Sequence, residues 1–191
     1  MKKTHVEDPG LGLIKEVAEG DENAFGQLVK RYEHSVMNTI YRYIGNYSEA
    51  EDVAQEVFIK VWRNANRFKG RSKFSTWLYR MVVNQCLNYK SKHSEKLGSL
   101  DETIKTATTL KSSGVEIEFE RRQRIEMVRK AVDELPKTQR IAIILSKYEG
   151  KSYREIAQIM GVSLSSVTSL IFRAKDNLRK RLLPLRVNRH I

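Results

Sequence analysis

Residues 152–173 are SYREIAQIMGVSLSSVTSLIFR, and this stretch decides the fold class of the second half of the chain. Ser152 and Glu155 have the spacing of a capping box, in which the Ser oxygen and the Glu carboxylate satisfy free amides of the first helical turn. Gly161 tolerates the left-handed conformation that a tight turn needs. The pattern therefore predicts two short helices joined by a turn, which is a helix-turn-helix.

The same stretch divides into a core and an outward face. Ala157 is small enough to let the two helices approach, and Val167 fills their crossing. The rest of this core is predicted to come from Ile156, Met160, Val162 and Leu170. Hydroxyl groups on the outward face can reach base edges or phosphates, and cations there can neutralise a nucleic-acid backbone. The outward face of the second helix holds Ser165, Ser166, Thr168, Ser169, Phe172 and Arg173, followed by Lys175.

The charge distribution favours DNA as the partner of this motif. The chain has 35 Lys and Arg against 23 Asp and Glu, a net charge of +12. Residues 119–191 contain 17 basic and 7 acidic side chains, so most of the excess lies beside the helix-turn-helix. The alternative is an ordinary helical hairpin with a polar outer face.

The first half of the chain has two blocks of opposite charge. Residues 48–56 hold four acidic side chains and no basic one, whereas residues 57–94 hold nine Lys and Arg and no acidic one. Charge runs are usually solvated helix faces, but 38 residues without a carboxylate is long for that explanation. The segregation indicates two different partners, one of them a polyanion.

Helical periodicity continues through the rest of the chain, and residues that typically end or cap a helix lie between the periodic segments. Gly45 is predicted to end a long helix, Ser48 and Glu51 to form another capping box, and Ser75 to cap the helix after a basic loop. The predicted fold is all-α, with two small helical domains joined by a flexible linker. The domains are residues 1–92 and 119–191, and the linker is residues 93–118, which are polar and weakly periodic.

Several classes of protein are not expected from this sequence. No apolar run approaches the ~20 residues that span a bilayer, so a cytoplasmic protein without membrane insertion is predicted. A single cysteine, Cys86, and four scattered histidines provide neither a disulfide nor a metal site. There is no Gly-rich phosphate loop and no nucleophile beside a base, so neither an enzyme nor a cofactor is expected.

Three motifs resemble the extracytoplasmic-function sigma factors of bacterial RNA polymerase, which belong to group four of the sigma-70 family. They are SEAEDVAQEVF at 48–58, FSTWLYR at 74–80, and the stretch from Leu135-Pro136 to GKSYREIA at 150–157. They occur in the family's order with a linker between them, over roughly residues 22–92 and 120–182. The resemblance implies two DNA-binding domains and no catalytic group, because the polymerase supplies the chemistry.

The resemblance also implies roles for individual residues. Polymerase contacts to the clamp helices of the largest subunit would come from Asp52, Gln55 and Glu56, with Phe58 nearer the helix core. The minus-ten element would be opened and bound as a single strand by Lys69, Arg71, Lys73, Phe74, Trp77, Arg80, Asn84 and Asn88. The minus-thirty-five element would be bound as duplex by Arg154, Ser165, Ser166, Thr168, Ser169, Phe172, Arg173 and Lys175.

The implied partners are core RNA polymerase, through its clamp helices and its flap, and promoter DNA. Many relatives of this kind are held inactive by an anti-sigma factor, often membrane-anchored, so such a partner is expected as well. Thr168 and Leu170 stand where relatives often have Lys and Arg, and Asn88 where they often have Asp, so the promoter sequence cannot be transferred. The alternative function is a dimeric helix-turn-helix regulator that acts without polymerase, which leaves the acidic block unexplained.

Overall fold

The computed structural model describes residues 8–93 and 113–187, which form α-helices, one short 3-10 turn and no strand. This confirms the all-α prediction. Of the predicted linker, residues 94–112 lie outside the described residues, and helix begins at Ser113, inside the predicted linker. The helices are α1 (Pro9–Ala18), α2 (Glu22–Ile44), α3 (Tyr47–Asn64), α4 (Phe74–His93), α5 (Ser113–Asp133), α6 (Lys137–Lys147), α7 (Tyr153–Met160) and α8 (Leu164–Val187), with the 3-10 turn at Ala65–Arg67.

In the N-terminal domain, α2 is the central helix and packs against α1, α3 and α4. It ends where predicted, because Gly45 adopts a left-handed φ of 93° and donates its amide to the Tyr41 carbonyl at 2.8 Å. Apolar side chains at three- and four-residue steps of α2, α3 and α4 meet in one core. Its fully buried members include Leu28, Val36, Ile40, Val57, Val61, Leu78 and Val82.

The start of α3 differs from the prediction. Asn46, not Ser48, is the N-cap residue, and its side-chain oxygen accepts from the Glu49 amide at 3.2 Å. Helix therefore begins at Tyr47, and the predicted Ser48–Glu51 capping box is wrong. Asn and Ser are equally good caps, so local sequence could not separate two candidates two residues apart.

The start of α4 also differs, because it is set by a distant residue. Asp8 accepts from the amide of Gly10 and thereby caps α1, and its other carboxylate oxygen accepts from the amide of Phe74. Helix α4 begins at Phe74, so Ser75 lies inside the helix and the predicted Ser75 cap is wrong. Gly10 lies against the Phe74 ring, with no room for a β-carbon between them.

The C-terminal domain is built on α8, which packs against α5, α6 and α7. Pro136 is the residue before the first helical residue of α6. No single helix among the described residues is long and apolar enough to cross a membrane. Helix α7 and most of α8 (Leu164–Leu183) reach that length and apolarity only together, as a pair bent by 104°. Buried residues of this domain include Ile141, Ile144, Leu145, Ile156, Val167, Ile171 and Ala174.

The two domains pack directly against each other. Helix α2 contacts α6, and α4 contacts α6 and α7, so the buried residues of both domains form one continuous apolar cluster. Nothing in the sequence patterns predicted this contact, since each domain has its own periodic core.

Cys86 is expected to be chemically inert in the folded chain. Its side chain is fully buried in α4, and burial raises the pKa of the thiol to about 12. At pH 8 the thiolate fraction would be about 10⁻⁴, against about a quarter in the unfolded chain. Ellman's reagent should therefore react with the native protein about a thousandfold more slowly than with the protein in denaturant. Rapid labelling of the native thiol would contradict this packing of α4.

Candidate nucleic-acid interface

The helix-turn-helix formed by α7 and α8 has the predicted local geometry. The Ser152 oxygen accepts from the Glu155 amide at 3.3 Å, and the Glu155 carboxylate accepts from the Ser152 amide at 2.9 Å, which is the complete capping box. Gly161 adopts a φ of 67° and donates its amide to the Ala157 carbonyl. Both predicted features of the motif are confirmed.

The Glu155 carboxylate of the capping box is stabilised in its charged form. Burial by itself raises the pKa of Glu155, but hydrogen bonds from Ser152 and the nearby ammonium groups of Lys151 and Lys73 outweigh it. The pKa of Glu155 therefore lies below its ordinary value. The carboxylate contributes stability above the pKa of an unfolded Glu, about 4.3, and this contribution is lost as the pH falls through the lower folded value.

The core of the motif is only partly as predicted. Ile156 and Val167 are buried, as expected, and Met160 and Leu170 pack against the core while partly exposed. Val162 is 38% exposed, so its prediction as a core residue is wrong. The turn places Val162 outside the helix crossing, where its side chain faces solvent. Sequence reasoning missed Ile159, which is buried in its place and has the helical period of Ile156.

The outward face of α8 is exposed. Phe172 is 73% exposed, which is unusual for a large aromatic side chain on a folded domain. Ser163, which the sequence reasoning did not single out, caps α8 by accepting from the Ser166 amide at 3.1 Å. Thr168 donates its hydroxyl to the Leu164 carbonyl at 3.0 Å, so this hydroxyl acts toward a ligand mainly as an acceptor. All the residues predicted to bind the minus-thirty-five element are exposed: Arg154 on α7 and, on α8, Ser165, Ser166, Thr168, Ser169, Phe172, Arg173 and Lys175.

The basic loop between α3 and α4 presents cations but not its aromatic side chains. Lys69, Arg71 and Lys73 are exposed, and Gly70 turns the loop with a φ of 66°. Phe74 is fully buried in an aromatic cluster with Tyr32 and Trp77, so in this arrangement its ring is not available to stack on a base. The prediction that Phe74 contacts DNA is corrected accordingly. The sequence of the loop alone does not predict that Phe74 is buried against α1.

Beyond the loop, α4 carries a polar stripe. Arg80, Asn84 and Asn88 follow one another at four-residue steps and are exposed, so they lie on one face of the helix. Trp77 is half-buried and keeps part of its ring at the surface. The stripe does not face open solvent throughout, since Arg80 Nε donates to the Gln158 carbonyl of α7 at 2.7 Å.

The acidic face of α3 is exposed as well. Asp52, Gln55 and Glu56 lie at the surface, whereas Phe58 is only 8% exposed. Phe58 forms part of a groove that is also lined by Gln55. It lies nearer the core than the other predicted contacts, as the family resemblance implies.

Glu56 is joined to α4 by a network that sequence reasoning missed. The Glu56 carboxylate accepts from Gln85 Nε2 at 2.5 Å, and Lys60 Nζ donates to Gln85 Oε1 at 2.6 Å. Gln85 is a buried polar residue on the otherwise apolar side of α4, and that mismatch is the signal that could have identified it. Helix α3, which is predicted to contact the polymerase, is therefore hydrogen-bonded to α4, which carries the polar stripe.

Comparison with known proteins identifies the two domains. Residues 28–96 match the family model described as Sigma-70 region 2, and residues 125–178 match Sigma-70 region 4. These ranges hold the α3–α4 surfaces and the helix-turn-helix, respectively. The matched architecture is that of the sigma-70 class.

Comparison with individual relatives places the chain in one family within the sigma-70 class. The chain is 34% identical to the RNA polymerase sigma-H factor of Pseudomonas aeruginosa over 180 residues, which is 91% of this chain and 93% of that protein. It is 36% identical to the ECF RNA polymerase sigma-E factor of Escherichia coli K12, over 91% of this chain and 94% of that protein. The chain therefore belongs to the extracytoplasmic-function (ECF) family of RNA polymerase sigma factors.

A solved structure shares the fold. The sigma factor RpoE of Bartonella quintana, in complex with the anti-sigma factor NepR, superimposes with a TM-score of 0.64 at 23% identity. The superposition covers 83% of this chain and 96% of that one.

Proposed function

We propose that this protein binds core RNA polymerase in the cytoplasm and directs it to promoters as an alternative sigma factor. The observation that carries the proposal is the arrangement of three exposed surfaces in family order: an acidic helix, a basic loop with a polar stripe, and an outward recognition helix on a second domain. The chain supplies recognition, and the polymerase supplies the chemistry of RNA synthesis.

The acidic face of α3 is the proposed polymerase contact. Asp52, Gln55 and Glu56 project from the part of α3 in which residues 48–56 hold four acidic side chains and no basic one, which suits a basic partner helix such as those of the clamp. Phe58 would support this face from the groove below it. The first helices of the C-terminal domain, α5 and α6, would contact the flap.

The minus-ten element is proposed to bind as a single strand along the basic loop and α4. Lys69, Arg71 and Lys73 can follow the phosphates, because cations on a flexible stem tolerate the irregular path of a single strand. The exposed part of Trp77 can stack on a base, and the stripe of Arg80, Asn84 and Asn88 offers hydrogen-bond donors and acceptors. Phe74 is left out of this surface and supports the loop from inside.

The minus-thirty-five element is proposed to bind as duplex along α8. A helix-turn-helix places its second helix in the major groove, where hydroxyls and Arg reach base edges and phosphates. Phe172 offers a large apolar contact, for which a thymine methyl group is the natural partner. Arg154 on α7 and Lys175 on α8 flank this face and can contact the backbone.

An anti-sigma factor is proposed as a further partner. The Bartonella quintana sigma factor of the same fold is seen bound to one, and the surfaces that a sigma factor must present to polymerase are natural targets for such an inhibitor. Any membrane anchor would belong to that partner. A dimeric regulator acting without polymerase is not favoured, because it would leave the acidic face of α3 without a role.

Run-off transcription tests the proposed function. The purified chain is combined with core RNA polymerase on sheared genomic DNA, and transcript starts are mapped against a reaction with core polymerase alone. We expect discrete starts that share two upstream elements and that are absent without the chain. Absence of new starts, together with tight binding of the chain alone to a palindromic site, would favour the dimeric regulator instead.

A further inference from the structure

A buried amide side chain joins α3 to α4 between the proposed polymerase and minus-ten surfaces. Gln85 is 7% exposed, although it directly follows Asn84 of the polar stripe. Its Nε2 donates to the Glu56 carboxylate at 2.5 Å, and its Oε1 accepts from Lys60 Nζ at 2.6 Å. We call these three side chains and their two hydrogen bonds the Gln85 bridge.

Both hydrogen bonds of the Gln85 bridge have a charged partner, and together they fix the orientation of the amide. A carboxylate only accepts and an ammonium only donates, so the amide nitrogen must face Glu56 and the amide oxygen must face Lys60. Glu56 and Lys60 are four residues apart on α3 and therefore lie on one face of that helix. Because hydrogen bonds weaken steeply with distance and angle, a rotation or shift of α4 on α3 would break at least one of them.

Packing alone does not require a polar side chain at this position. Leu78 and Val82, which precede Gln85 by two turns and one turn of α4, are fully buried and apolar. A Met side chain of similar size could be buried there without giving up hydrogen bonds to water. Apolar packing is non-directional, so it does not by itself fix the register of two helices. A buried polar bridge is weak evidence for stability, and its best-attested role is to specify how helices pair.

The Gln85 bridge lies where the two proposed binding surfaces meet. A cleft of about 430 Å³ lies between α3 and α4, and both Gln85 and Glu56 line it. Its α3 wall also includes Asp52 of the proposed polymerase contact, and its α4 wall includes Asn88 of the polar stripe. A change in the bridge therefore changes how the polymerase-binding wall and the DNA-binding wall face each other.

Helix α4 is held at a second point as well. Its first amide, at Phe74, donates to the Asp8 carboxylate. At 1.5 Å per residue, the segment from Phe74 to Gln85 is about 17 Å of helix. The polar stripe begins within this segment and continues past Gln85. One attachment fixes the start of α4, and the Gln85 bridge fixes the part that carries the stripe.

We propose that Gln85 is a positioning residue for promoter opening: it fixes α4 on α3, so that the polar stripe has its DNA-binding geometry while α3 is bound to the polymerase. This role rests on the proposed function, because it concerns the minus-ten site of a sigma factor. Gln85 is buried and acts through Glu56, Lys60 and the stripe residues beside it. Its loss should therefore impair promoter opening by the assembled holoenzyme more than it impairs assembly.

Gln85→Met is the variant that removes the bridge. Met is unbranched and close to Gln in size, but it has no amide to form the two hydrogen bonds. Val82→Ala is the matched control, because it truncates a fully buried side chain of the same helix that has no part in the bridge. It should lower the melting temperature at least as much as Gln85→Met, since it leaves a cavity. Thermal melts followed by circular dichroism measure both.

Promoter opening is measured with core polymerase and a saturating concentration of the chain, on a promoter mapped by the run-off experiment. Permanganate reactivity of unpaired thymines gives the rate of opening, and fluorescence anisotropy gives the affinity for polymerase. We expect Gln85→Met to open the promoter about tenfold more slowly with little change in affinity, because a small misplacement of binding groups is enough to slow a reaction step. Val82→Ala should open it at nearly the wild-type rate.

Exchanging the two groups of the bridge provides a rescue. In Gln85→Glu the new carboxylate faces that of Glu56, and the like charges repel each other. In the double variant Glu56→Gln with Gln85→Glu, the amide at position 56 donates to the carboxylate at position 85, and Lys60 can pair with the same carboxylate. A bridge between α3 and α4 is thereby restored. The double variant should recover opening at saturating chain even where its affinity for polymerase is lower.

Three results would overturn the positioning role. They are normal opening by folded Gln85→Met, equal defects in Gln85→Met and Val82→Ala, and a Gln85→Glu defect that the double variant does not relieve. The last comparison decides the question even if Gln85→Met does not fold. A wild-type chain that binds no polymerase or opens no promoter would instead refute the proposed function, and the role of Gln85 with it.

Discussion

Replacing Asp52 with Lys is expected to weaken binding of the chain to core RNA polymerase about a hundredfold while the N-terminal domain stays folded. Asp52 is exposed in the second turn of α3, on a face rich in acidic side chains. Reversing a charge that faces a basic partner replaces an attraction by a repulsion, and a loss of about 2.7 kcal/mol corresponds to a hundredfold in affinity. Fluorescence anisotropy of the labelled chain with core polymerase measures the change.

Glu16→Lys on α1 is the matched control, because it makes the same charge change at another exposed position of the same domain. It should bind polymerase like the wild type. If Asp52→Lys also binds like the wild type, the assignment of α3 to the polymerase contact is wrong. Glu56 is a less clean probe, because its carboxylate also accepts from Gln85 and a substitution there would disturb α4 as well.

The double substitution Lys69→Ala with Arg71→Ala is expected to lower transcription at least about tenfold without weakening polymerase binding. Both side chains are exposed on the loop before α4, and their loss removes two phosphate contacts to the single strand. Permanganate footprinting of unpaired thymines measures promoter opening, and the defect relative to the wild type should become smaller as the salt concentration rises, because the variant makes fewer salt-sensitive phosphate contacts. The double substitution Lys15→Ala with Lys30→Ala removes the same charge from exposed positions of α1 and α2 and should have little effect.

Two other results for the loop variant would assign the loop to a different contact. If the loop variant opens promoters normally but fails to bind duplex DNA upstream, the loop contacts double-stranded DNA and not the melted strand. If its polymerase binding falls in parallel with transcription, the loop belongs to the polymerase contact instead.

Local signals in the sequence predicted the helix-turn-helix well. A capping box at Ser152 and a glycine at 161 act over four residues or fewer, and their geometry depends little on the rest of the chain. The outward face of α8 follows from the same helical period, so all its predicted residues are exposed. The core assignment failed at Val162 because the residue after a left-handed turn no longer follows the period of either helix.

Tertiary contacts decided the features that could not be predicted. The first amide of α4 is capped by Asp8, 66 positions earlier in the chain, and the Phe74 ring is buried against α1 for the same reason. The Glu56–Gln85 bond and the burial of Arg140 likewise join residues that are far apart in sequence. Periodicity shows which face of a helix is apolar, but it does not show which other helix will cover a given polar side chain.

The tie between α1 and α4 bears on how this domain could be divided or exchanged. The match to the Sigma-70 region 2 family model starts at residue 28, yet Asp8 and Gly10 hold the first turn of α4 in place. A fragment cut at that family boundary would leave the Phe74 amide without its acceptor and uncover one side of an aromatic cluster. The unit that folds is therefore larger than the unit recognised by family resemblance, and a chimaera that transplants promoter specificity from a relative should carry α1 together with α4.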